Sequence, residues 1–116
     1  MKQSFTVFFR KRKQWINVYL HDTTATTFSR NGGGRWGYFV PRWEHPKRGW
    51  FGDIHLVESR VRVDLVSHEL DHVRLEWIFE NQISLSTRNE EWFCKFGDEL
   101  IRKFYREYDK YCKKTK

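Results

Sequence analysis

Residues 61–80 read V-R-V-D-L-V-S-H-E-L-D-H-V-R-L-E-W-I-F-E, and the spacing of their side chains decides the fold class. Val61, Leu65, His68, His72, Leu75 and Phe79 recur at alternating intervals of four and three, the period at which side chains stack along one side of an α-helix. Val66, Leu70, Val73 and Trp77 make a second apolar row. A helix with two such rows is expected to be mostly buried, with both histidines on an inward face. Toward the C-terminus, residues 81–88 form a loop rich in Ser, Thr and Asn. A second helix is predicted over about residues 89–110, with Phe93, Phe96, Leu100, Ile101, Phe104 and Tyr108 inside, followed by the basic tail C-K-K-T-K.

Working back toward the N-terminus, the pattern changes to strands. Residues 4–9 and 15–20 are rich in β-branched and aromatic side chains and flank the basic run Arg10, Lys11, Arg12 and Lys13, which reads as a hairpin with a basic tip. Gly32, Gly33 and Gly34 mark a loop, residues 37–40 a short strand stopped by Pro41, and residues 50–56 a further strand after a turn-rich connection that carries His45. Strands first and two helices last, with no repeat and no linker, define an α+β fold: a small, mostly antiparallel sheet packed against two C-terminal helices. A single domain is expected across residues 1–116.

Composition supports this. Apolar residues make up 39% of the chain and include ten Phe, six Trp and five Tyr, enough to build a core despite 32% charged residues. No apolar run approaches the ~20 residues of a membrane span, and no basic-then-apolar leader opens the chain, so a cytoplasmic protein is expected. Cys94 and Cys112 read as reduced thiols. With 22 Lys and Arg against 15 acids, the net charge of +7 favours encounters with polyanions.

The chemistry lies in H-E-L-D-H, residues 68–72. Histidines four apart on a helix lie about 40° apart in azimuth and ~6 Å along the axis, so two imidazoles can converge on one ion. Zn²⁺ suits neutral imidazole nitrogen and, in catalytic sites, keeps a position open for water beside three protein ligands. Glu69, adjacent on the same turn, is placed to act as general base. The third ligand must come from elsewhere, and Glu90 and Glu91 at the start of the second helix both have the chain length to reach; Glu91 is the preferred one. Carboxylates there also suit the helix dipole without any metal.

H-E-L-D-H followed by Glu91 resembles the gluzincin branch of the zincin metallopeptidases. Residues 89–101, N-E-E-W-F-C-K-F-G-D-E-L-I, are similar to the glutamate-bearing helix of small repressor-cleaving metallopeptidases of mobile elements, and of minimal zincin-like proteins of bacteriophages. The resemblance covers roughly residues 50–108. It implies zinc held by His68, His72 and Glu91, Glu69 as the base, and an edge strand at residues 50–56 that aligns extended substrate. It implies hydrolysis of a peptide bond by metal-bound water, with a protein or peptide as substrate. His45, Tyr105 and Tyr108 are the candidates for stabilising the oxyanion.

Two other functions fit the same residues. One is a zincin-like protein whose zinc is structural. The other is a nucleic-acid-binding module using Arg10 to Lys13, residues 42–48 and residues 110–116, interleaved with Trp15, Trp43 and Trp50. His21 and His55 are alternative ligands or structural histidines, and Cys94 is expected to be a small buried apolar group.

Overall fold

The computed structural model describes residues 3–22, 36–42 and 49–115. Four strands, β1 (Phe5–Phe9), β2 (Gln14–His21), β3 (Gly37–Pro41) and β4 (Trp50–Val57), precede a 3-10 turn at Glu58–Arg60 and two helices, α1 (Val63–Glu80) and α2 (Glu90–Thr115). The α+β reading holds. The strands form one sheet in the order β1-β2-β4-β3; β1/β2 and β3/β4 are antiparallel, whereas β2/β4 is parallel. β3 is therefore an edge strand, and it lies against α1, while α2 covers β1.

Alternation along the strands separates two faces. Val7, Phe9, Ile16, Val18, Leu20, Ile54 and Leu56 point into a core completed by Val66, Leu70, Val73 and Trp77 of α1 and by Phe96, Leu100 and Phe104 of α2. Of the two apolar rows of α1, only the second is buried. The expected inward row is turned outward: His68 and His72 are exposed, Leu75 and Phe79 are 40% and 73% exposed, and Val61 and Leu65 are half-buried. The correction has a physical cause, since Trp77 packs on Trp92 and Phe96 at ring-centroid distances of 5.6 and 5.4 Å and donates its indole N–H to Gln14 Oε1 at 2.9 Å. Those contacts set the rotation of α1 about its axis.

α1 ends without glycine. Ile83 N–H reaches Ile78 O and Gln82 N–H reaches Phe79 O, the paired bonds that close a helix through a left-handed residue, here Gln82 at φ 54°. The β1–β2 tip is stranger still. Arg10, Lys11 and Arg12 have φ of 52°, 60° and 66°, three successive left-handed residues, none of them glycine. Each costs about 1–2 kcal/mol relative to ordinary backbone. Arg10 offsets part of this by folding back over the ring of Trp77, 4.6 Å from its centroid, and beside Trp92 and Phe96.

Because Arg12 sits where glycine is at ease, Arg12→Gly should raise stability by about 0.5–1 kcal/mol, against glycine's usual cost. An upward shift of the urea midpoint at unchanged slope is the expected reading.

Candidate metal centre

His68 and His72, one turn apart on the outward row of α1, bring their Nε2 atoms to 3.3 Å with the rings nearly perpendicular, at 86°. Two nitrogens each about 2.0–2.1 Å from a tetrahedral Zn²⁺ are about 3.3–3.4 Å apart. An N–H hydrogen bond ordinarily spans about 2.7–3.2 Å. The observed separation is a long hydrogen bond between the rings and is also the spacing that two ligands of one ion would keep.

Glu69 completes the group. It lies about 100° further round the helix, at the border between the core and the outward row, and is 4% exposed. One carboxylate oxygen of Glu69 and one nitrogen from each imidazole all lie within 4.8 Å of one another. Among the described residues this is the cluster that can hold an ion. Gly37 makes room for it: a Cβ there would stand 3.4 Å from Glu69 Cγ, 3.3 Å from His55 O and 2.8 Å from Leu56 Cδ2.

The three groups open into a groove of about 780 Å³ between β3 and α1, with Trp36, Gly37, Phe39 and Pro41 on one wall and Leu65, Leu75, Glu76 and Phe79 on the other. β3 and α1 run in the same direction, because Arg42 just beyond β3 pairs with Glu80 at the end of α1 at 2.9 Å. The edge strand along the groove is β3. The strand expected there, residues 50–56, is internal, being paired on both sides. Glu76 and the β3 wall escaped sequence reasoning; the spacing His68, His72, Glu76 was the available signal for Glu76.

Glu91 does not join the site. It is exposed in the first turn of α2 and stands outside the ion-holding cluster. The contacts around it explain why: α2 meets α1 through Trp92 on Trp77 and through Phe93, whose carbonyl accepts from Arg74 Nη1 at 2.8 Å. Arg74 is two residues after His72, about 200° round the helix, so α2 approaches the flank away from the histidines. Glu90, also exposed, behaves likewise. Asp71, inside the motif, pairs with Arg74 on that same flank and leaves the groove unaffected.

The oxyanion candidates fare no better. Tyr108 packs on Phe5 and Phe104 with its phenol pushed up to about 12, first by burial and then by its hydrogen bond with Cys112. Tyr105 packs against Phe104 and Tyr108, and neither tyrosine lines the groove. His45 lies outside the described residues, as do residues 32–34. Cys94 is exposed rather than buried, and Cys94 and Cys112 are unbridged.

His21 and His55 belong to the opposite face of the sheet. His55 is sandwiched between Tyr19 and Tyr38, both at 4.6 Å and within 7° of parallel, and its Nδ1 lies 2.9 Å from Nε2 of buried His21. Neither histidine lines the groove. Burial holds His21 below the ordinary imidazole range, against the opposing pull of Asp22.

What fold and site together define is a two-layer α+β protein with an imidazole–carboxylate groove beside an edge strand. No family model matches the chain, and no curated protein or solved structure shows significant similarity to it.

Two outcomes test this geometry. Gly37→Ala must displace Leu56 or Glu69 and should cost about 1–3 kcal/mol in denaturant unfolding. His21, whose folded pKa is depressed, takes up its proton more readily unfolded, at about 6.5. Its contribution to stability is therefore full above that pH and lost as pH falls below it. Urea midpoints should decline between pH 7.5 and 5, and less steeply in His21→Gln.

Proposed function

We propose that the groove is a divalent-metal site, zinc by its donor set, and that the protein is a metal-dependent hydrolase of peptide bonds. The observation that carries this is the 3.3 Å separation of the two Nε2 atoms, with a Glu69 oxygen beside them, in a groove bordered by an edge strand. Zinc bound there would polarise a carbonyl and make water acidic enough to attack near neutral pH.

The chain's own residues then have distinct tasks. His68 and His72 would hold the ion through their ring nitrogens. Glu69 would take the proton of the attacking water at a carboxylate oxygen and return it to the departing amine. Among the described residues β3 pairs with β4 alone and borders the groove, an arrangement that suits an extended peptide laid along it. Among the described residues, the carboxylates lining the groove are Glu69 and Glu76. Peptides fit this lining. A cytoplasmic setting, in which Cys94 and Cys112 would stay as thiols, belongs to the same proposal.

One observation favours a second reading, a zinc-binding protein without turnover. With Glu91 outside the site, Glu69 is the carboxylate grouped with the imidazoles, and a glutamate serving as ligand is not free to act as base.

Zinc titration under chelator competition separates the two. About one zinc per chain is expected, with affinity lowered about a hundredfold or more in His68→Ala and His72→Ala and unchanged in Glu91→Ala. Glu69→Gln should retain zinc and lose hydrolysis of an unstructured protein such as casein. Loss of zinc in Glu69→Gln selects the non-catalytic reading, and absence of zinc from the wild-type protein overturns both.

A further inference from the structure

The strained β1–β2 tip is remote in chemistry from the groove. Lys11, Arg12 and Lys13 are exposed, and none makes an ion pair among the described residues, although Arg10 beside them is engaged by Trp77. Left-handed backbone at Arg10, Lys11 and Arg12 winds these residues into a single turn, and such a turn fans its side chains outward instead of alternating them as a strand would. Three cations are thereby presented together at one end of the molecule. Backbone strain held at such a place points to use.

Directly beside the tip, on the sheet face turned away from the helices, stand Phe8 and Trp15. They are cross-strand partners with ring centroids 6.1 Å apart, and Phe8 is 43% exposed. The ring of Trp15 lies over Gly49, where an added Cβ would come within 2.5 Å of it, so its position is fixed. Phe8 is the open one. Thr6 and Asn17 continue this face with polar side chains, hydrogen-bonded to each other at 3.1 Å.

We infer that this corner of the sheet binds single-stranded nucleic acid, with backbone phosphates on Lys11, Arg12 and Lys13 and an unpaired base stacked on Phe8. Charge and an accessible aromatic face are the two elements that such binding combines. A duplex keeps its bases stacked on one another and offers Phe8 nothing, so a single strand is the better fit. An anionic membrane would meet the cations too, but among the described residues beside the tip Phe8 is the one strongly exposed apolar side chain, less than the apolar face that membrane binding uses. The inference does not rest on metal or hydrolysis.

Fluorescence anisotropy with labelled dT20, in EDTA and at 50–200 mM salt, tests it. Wild-type protein should bind dT20 more tightly than a matched duplex. The logarithm of its affinity should fall with the logarithm of salt at a slope near about −2, the value for three neutralised phosphates on a single strand. Replacing Lys11, Arg12 and Lys13 together with Gln should remove most of that slope. Phe8→Ala should weaken binding about tenfold with unchanged salt dependence. Arg12→Gly separates binding from stability, since it should weaken binding while raising the urea midpoint. Affinity that survives the triple substitution, preference for the duplex, or retention on phosphatidylserine vesicles without binding to dT20 would each overturn the inference.

Discussion

The rotation of α1 about its own axis governs everything else, and Trp77 sets it. The indole is held on three sides at once, by Trp92 and Phe96 of α2, by the amide of Gln14 on β2, and by the guanidinium of Arg10 above it. A helix has only one rotational degree of freedom once its axis is placed, and about 100° separates successive side chains. With Trp77 fixed, Val66, Leu70 and Val73 fall into the core, Glu69 comes to the boundary, and His68 and His72 turn out into the groove. A rotation of one residue step in one sense would carry His68 and His72 into the buried directions of Glu69 and Val73, and in the other would carry Glu69 into the exposed direction of His68.

This dependence explains what was legible in the sequence. The six regular elements follow from periods of two and of 3.6 and from Pro, Gly and Asn punctuation, all of which are local. The H-E-L-D-H pairing is equally local, since one helical turn suffices to bring two imidazoles together. Choosing between the two apolar rows of α1 is not local. Both are apolar, and the choice was made by aromatic contacts with α2 and by the nearness of β3, neither of which spacing along α1 encodes. Glu91 shows the same limit. Its distance in sequence from His72 allowed a turn and a return, but Trp92 and Phe93 direct α2 to the opposite flank of α1.

Charge is unevenly distributed in this basic protein. Among the described residues the groove is lined by carboxylates and imidazoles, while the β1–β2 tip carries four cations in succession. At physiological salt such fields decay within about 8 Å, so each region is governed by its own charges rather than by the net +7. A cation entering the groove meets Glu69 and Glu76, whereas a polyanion is drawn to the tip.

The two regions nevertheless share a support. Arg10 belongs to the tip and lies on Trp77, and Trp77 belongs to the helix that carries His68, Glu69 and His72. Residues that touch only one region, such as Phe8 or Gly37, share no direct partner through which to act on the other, and well-separated changes of that kind add. Trp77 differs because one face of its ring meets the hairpin and its attachment sets the helix rotation. Truncating it would release Arg10 from its cation–π contact and loosen the orientation of the imidazole pair in the same step. Coupling between the basic tip and the groove, if measured by combining substitutions in each, therefore has a route through that indole, beside the ring chain Phe9–Phe51–Phe39 that reaches the groove wall.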